Sequence, residues 1–135
     1  MRLLISTEQN THFSVAIGTS KVLKLKTIRK EYRQSELLLK TIDQLLGGKK
    51  PKAIFVVQGP GAFTALRTGI ATANALGFAW QASVVGVKIK PDWLLLEEKL
   101  KLEKVWSVGL AGLKKAKHGP VEPYYDRAPN ITMAK

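Results

Sequence analysis

Acid–base and metal chemistry need carboxylates or histidines held close together, and this chain spaces such residues widely. No acidic residue falls between Asp43 and Asp92. His12 and His118 stand far apart, neither within a Ser, Asp or metal-binding constellation, so each reads as a surface or loop histidine. Cysteine is absent, which excludes thiolate nucleophiles, disulfides and Cys-ligated zinc or iron–sulfur centres. A Gly59-Pro60-Gly61 loop between an apolar run and a helical segment invites a phosphate-loop reading, because backbone N–H groups at a helix start can hold an anion. The spacing argues against it. A Walker loop requires Lys and then Ser or Thr after its last Gly, and the dinucleotide fingerprint requires Gly where Thr64 stands.

The second chemical signal is charge, with 22 Lys and Arg against 10 Asp and Glu for a net +12. Such an excess favours polyanionic partners through counterion release, although it does not say which polyanion. Lys114, Lys115 and Lys117, in a basic stretch from Gly112 to Pro120, are the candidate nucleic-acid contacts. Trp80, Trp93 and Trp106 do not interleave with basic clusters, so no base-stacking platform is expected.

The elements that position these residues follow from periodicity. Leu3 to Ser6 is short and apolar, Phe13, Val15 and Ile17 alternate with small residues, and Leu23 and Leu25 alternate with Lys24 and Lys26. This pattern predicts an antiparallel meander of three strands with its lysines in solvent. Ser35 can cap a helix in which Leu38, Ile42 and Leu45 recur at helical spacing, and Gly47-Gly48 ends it. Ile54 to Val57 suits a central parallel strand, a second helix is expected from about Ala62 to Ala79, and Val84 to Val87 suits the next strand. Pro91-Asp92 can open a further helix in which Glu97 and Lys101 sit four apart. Strands followed by alternating helix and strand indicate an α/β fold, a mixed sheet with packed helices. The 135 residues, 45% apolar, allow one compact domain and no second full one. No apolar run is long enough to span a bilayer, and Met1 leads directly into a strand, so the expected compartment is the cytoplasm and no membrane partner is expected.

Within the second helix, Ala62, Ala65, Gly69, Ala73 and Gly77 form a stripe of almost no bulk, along which another backbone can approach closely. That backbone can belong to the chain's own sheet or to a partner. The segment Gly59-Pro60-Gly61-Ala62-Phe63-Thr64-Ala65-Leu66-Arg67-Thr68-Gly69 resembles the Gly-Pro-Gly-Ser-Phe-Thr-Gly-Leu-Arg-x-Gly signature of the TsaB (YeaZ) family, with Ala62 and Ala65 replacing Ser and Gly. Gln34-Ser35-Glu36-Leu37-Leu38 resembles the family's His-Ser-Glu-x-Leu helix start, with Gln34 for His. Val84 to Val87 is similar to the strand that follows, and Pro123-Tyr124-Tyr125-Asp126-Arg127-Ala128-Pro129 is similar to the Pro-x-Tyr-x-Arg-x-Pro tail.

The resemblance implies an actin-like ATPase lobe of the ribonuclease-H type over residues 1 to 90. Residues 91 to 135 would then be a shortened remnant of a second lobe with the tail, most of that lobe being missing. It also implies a non-catalytic subunit that binds the catalytic subunit TsaD in synthesis of threonylcarbamoyladenosine in tRNA. Actin-like ATPases carry an Asp at the end of the first strand, where this chain has Ser6-Thr7-Glu8. No cofactor of its own is therefore expected, ATP and metal belonging to the partner, and a protease reading fails for want of a catalytic constellation. The implied docking face comprises Ser35, Leu38, Ile42 and Leu45 of the first helix with Ala62, Ala65, Gly69 and Ala73 of the second. Alone, the chain is expected to form a homodimer through that face; in the complex, a TsaE-like ATPase and tRNA are the further partners. The alternative is a free-standing basic RNA-binding module.

Overall fold

The computed structural model describes residues 1–30, 34–115 and 120–124. Each apolar run identified above becomes a strand: β1 (Arg2–Ser6), β2 (Phe13–Gly18), β3 (Val22–Ile28), β4 (Ala53–Gly59) and β5 (Ser83–Lys88). They form one five-stranded sheet in the order β3-β2-β1-β4-β5. β1 is antiparallel to β2 and parallel to β4, and β5 extends the parallel half.

Side chains alternate across a strand, so register decides which residues meet. Leu3 lies beside Ile17 and Ile54, and Ile5 beside Val15 and Val56, all on one face. Two helices cover that face, α1 (Gln34–Leu46) through Leu38 and Ile42, and α2 (Phe63–Trp80) through Leu66, Ile70 and Ala73. Leu4 lies beside Ala16 and Phe55 on the opposite face. That face is covered by α3 (Glu98–Leu113), whose Leu102, Val105 and Trp106 are fully buried or nearly so. Trp106 meets Phe55 edge to face at 5.1 Å. A Cβ on Gly109 would enter the Phe55 ring, so glycine there lets α3 lie close to the sheet.

Two differences from the sequence reading have physical causes. Pro91-Asp92 opens a separate 3-10 turn, Pro91–Leu95, and not the long helix, which begins at Glu98. The inward face of α3 includes Lys101, a charge inside an otherwise apolar stripe, which blurs the helical periodicity of this segment. The packed lobe therefore continues past residue 90, the boundary the sequence suggested. None of the described helices is long and apolar enough to cross a membrane.

Candidate functional site

The C-terminal end of β1 carries the densest polar chemistry among the described residues. Ser6, Thr7 and Glu8 are all buried there. Thr7 Oγ1 donates to the Ala65 carbonyl at 2.8 Å, and Ser6 Oγ donates to Glu8 Oε1 at 2.6 Å. From the far face, Lys101 of α3 donates to Glu8 Oε2 at 2.5 Å and to Glu98 Oε1 at 3.0 Å. Glu98 also accepts from Ser14 Oγ at 2.6 Å and meets His12 Nε2 at 3.1 Å. Because Nε2 faces a carboxylate, that nitrogen carries the proton, leaving Nδ1 to meet Thr11 Oγ1 at 3.0 Å.

Electrostatics follow this geometry. Burial alone would raise the Glu98 carboxyl, but hydrogen bonds from His12 and Ser14 and the Lys101 charge outweigh it, lowering its pKa from 4.5 to about 2. Burial would lower the Lys101 ammonium, yet the Glu8 and Glu98 carboxylates hold it above the ordinary lysine value. The cluster is thus a closed ionic lock. Lys101 Nζ occupies the space between two carboxylates where a divalent cation would have to sit, and a cation entering beside it would meet like-charge repulsion. Among the described residues, no group of three or more His, Cys, Asp or Glu is arranged to hold a metal.

This cluster escaped the sequence reading. His12 lies in the loop between β1 and β2 but is buried there, and Lys101 pairs with Glu98 and Glu8 instead of Glu97. Glu97 serves only as the cap, its carbonyl accepting from the Lys101 amide. The available signal was the pair Glu98 and Lys101 at helical spacing of three beside apolar Leu102 and Val105.

The residues expected to form an open docking face divide. Leu38, Ile42, Ala65, Gly69 and Ala73 lie in the core between the helices and the sheet, and Leu45 is half-buried against it. They are not an open surface. A Cβ on Gly69 would overlap Thr7 Oγ1, so the steric demand behind this glycine is intramolecular. Ser35 is exposed and lines a cleft of about 380 Å³ with Ala62, Ala65, Phe63, Thr64 and Thr68. The exposed side of the two helices lies one face further round. Leu39 of α1 is 56% exposed, and Phe63 and Phe78 of α2 are 53% and 89% exposed. Between those two phenylalanines, α2 presents Arg67, Ala71 and Ala75 to solvent. Arg67 stacks over the Phe63 ring at 5.1 Å.

Lys114 and Lys115 are exposed at the turn after α3; Lys117 and His118 lie outside the described residues. Of the tail, residues 120–124 are described. Val121 exchanges both backbone hydrogen bonds with the Asn74 amide, at 2.8 and 2.9 Å, and the Tyr124 amide donates to the Gln58 carbonyl at 2.8 Å. This segment is pinned between α2 and the end of β4; residues 125–129 of the tail motif lie outside the described residues.

Comparison with known proteins fits this architecture. The family model described as TsaD, tRNA N6-adenosine threonylcarbamoyltransferase, matches residues 31–101, just over half the chain. YeaZ from Pseudomonas aeruginosa is 28% identical with a TM-score of 0.57, over 64% of this chain and 43% of that one. A second structure, described as an uncharacterized protein with similarity to peptidase YEAZ from Pseudomonas aeruginosa, also shows 28% identity and a TM-score of 0.57, over 64% of this chain and 42% of that one. The chain thus spans less than half the length of these relatives. RuvC of T. thermophilus, solved with a Holliday junction substrate, has a TM-score of 0.59 at 11% identity, over 90% of this chain and 100% of that one. That likeness shows the ribonuclease-H-like fold alone. No curated protein matches the sequence. With matched signature segment, fold and family model in agreement, the chain belongs to the TsaD family as a YeaZ-like member.

Proposed function

We propose that this chain is a non-catalytic subunit in synthesis of N6-threonylcarbamoyladenosine in tRNA, acting in the cytoplasm by binding a TsaD-type catalytic partner. The observation that carries the reading is the ionic lock at the end of β1. In a family of actin-like folds, chemistry is expected at that strand end, and here Lys101 holds the Glu8 and Glu98 carboxylates in a buried ion pair. A chain whose own centre is closed, yet which belongs to a modification family, contributes through its surface.

The surface we assign to the partner is the exposed side of α1 and α2, with Ser35 and Leu39 on one helix and Phe63, Arg67, Ala71, Ala75 and Phe78 on the other. Ala71 and Ala75 allow close approach of a helix, and the aromatic rings and Leu39 supply apolar area around them. Alone, the chain would cover the same face by forming a symmetric homodimer. ATP and metal would be held by the partner, and a TsaE-like ATPase would complete the assembly. The test is reconstitution: modified adenosine measured in a tRNA transcript with catalytic subunit, ATP and threonylcarbamoyl donor, with and without this chain. Product formation that depends on this chain supports the reading. A catalytic subunit that gains nothing from the chain and does not bind it overturns the reading.

A further inference from the structure

Part of the net charge of +12 is carried by the edge of the sheet. Strand β3 is an edge of the sheet, and its register sets Lys26 beside Val15 and Lys24 beside Ile17. Val15 and Ile17 belong to the core that α1 covers, so both lysines project on the α1 side. There a cleft of about 380 Å³ lies between α1 and the edge strand. Lys26 and Lys30 line it from the strand side and Lys40 from the helix, over a floor that includes Ile28 and Leu37. None of the described residues lining it is acidic. Lys26 Nζ is steadied by Gln44 Oε1 at 3.2 Å.

Lysines on an edge strand have an ordinary use, since they discourage strand-to-strand aggregation. That use does not require Lys30 and Lys40, which converge on the same cleft from outside the strand. It also leaves unexplained why the described lining carries three positive charges and no negative one.

We infer that this cleft is a binding site for a phosphodiester backbone, and that the ligand is RNA. Lys24 lies outside the cleft lining but on the same side of β3, about 6.8 Å along the strand from Lys26. The row of positive charge thus continues beyond the cleft at a spacing close to that of successive phosphates along a nucleic-acid strand. Among the described residues no aromatic side chain lines the cleft, which suits holding the backbone and not reading bases. The choice of RNA over an acidic protein segment rests on the function proposed above, in a family named for a tRNA modification. The site moves the nucleic-acid contact away from the Lys114 and Lys115 turn.

The test measures binding of the full chain to a tRNA transcript by fluorescence anisotropy over a potassium chloride series. Three variants accompany the wild type: K26Q/K30Q/K40Q, K26R/K30R/K40R and K114Q/K115Q. The glutamine triple is expected to bind about tenfold more weakly near 0.1 M salt, with its log–log salt slope shallower by about two to three. The arginine triple should bind as the wild type does, showing that charge and not lysine itself is read, and K114Q/K115Q should change the slope by less than about one. A glutamine triple that stays folded by circular dichroism and binds tRNA normally overturns the inference. So does a cleft that binds polyglutamate with the same lysine dependence while the chain ignores tRNA, since an acidic protein segment is then its ligand. Capture of the TsaD-type subunit is scored separately with wild type and triple. A chain that captures the subunit but whose triple binds tRNA normally overturns the cleft alone; one that binds tRNA through the cleft but captures no subunit overturns the proposed function alone.

Discussion

Lys101 of α3 donates to Glu8 Oε2 at the end of β1, joining residues 93 positions apart across the edge where the two layers of the lobe meet. Both side chains are essentially removed from water, at 2% and 1% exposure. The pair fixes α3 to the strand by charge where Phe55 and Trp106 fix it by packing. It is also the reason the strand end is closed.

Removing one member of such a pair leaves the other charge buried without compensation. Lys101→Met is expected to cost about 3–5 kcal/mol of unfolding free energy in urea denaturation. Adding Glu8→Gln to the same chain should restore at least about 1 kcal/mol, because the stranded carboxylate is gone. Independent, additive losses in the two substitutions would show that Glu8 and Lys101 are not coupled.

The lock also predicts the acid limb of stability. The Glu98 carboxyl titrates at about 2 in the folded chain against 4.5 for the free group, so it binds protons more weakly folded than unfolded. Its contribution is fully present above pH 4.5 and is lost as pH falls toward 2. Allowing for the part of the carboxylate that water still reaches, this amounts to about 2 kcal/mol. Lys101 behaves in the opposite sense, its raised pKa giving stability below 10.5 that is lost as pH rises through the folded value. Urea midpoints measured from neutrality down to acid should fall more steeply for the wild type than for Glu98→Gln; parallel curves would contradict the assignment.

Much of the fold was legible because apolar runs and small-residue spacing are local signals. Leu3 to Ser6, Phe13 to Gly18 and Ile54 to Val57 read directly as strands, and the Gly59 to Gly69 segment carried the family resemblance. Burial direction was not legible. Ala65, Gly69 and Ala73 announce that a backbone approaches closely, but the same stripe serves a sheet or a partner, and only the position of Thr7 decides for the sheet. The ionic lock was hidden for the same reason: Glu8 and His12 stand far in sequence from Glu98 and Lys101, and the two pairs meet only when α3 folds over the sheet's second face.

Gly69→Ala should act on the fold. A methyl group there displaces Thr7 and its hydrogen bond to the Ala65 carbonyl, at an expected cost of about 1–3 kcal/mol. Thr7→Ala in the same chain removes the hydroxyl that the new methyl meets first and should recover part of the loss, whereas Thr7→Ser, which keeps that oxygen, should recover little. A Gly69→Ala midpoint equal to the wild type would place this helix face differently.

Divalent cations should leave the chain indifferent. With Lys101 Nζ between Glu8 and Glu98, magnesium or manganese at several-fold above physiological levels is expected to shift the melting temperature by less than about 1 °C, and the chain alone should not hydrolyse ATP. A saturable stabilisation by manganese that Glu8→Gln abolishes would contradict the closed strand end.

The exposed side of α1 and α2 is the surface proposed to receive a TsaD-type subunit. Leu39→Asp with Ala71→Asp places two charges on that side without entering the core, because both positions are exposed. If the contact is desolvated, each charge weakens binding strongly, and together they should lower affinity by more than about a hundredfold. Light scattering coupled to size exclusion, on chain and catalytic subunit mixed at micromolar concentration, reads the outcome directly. The wild type is expected to co-elute with the subunit while the double variant, folded by circular dichroism, elutes alone; a double variant that still co-elutes like the wild type rules this surface out as the contact.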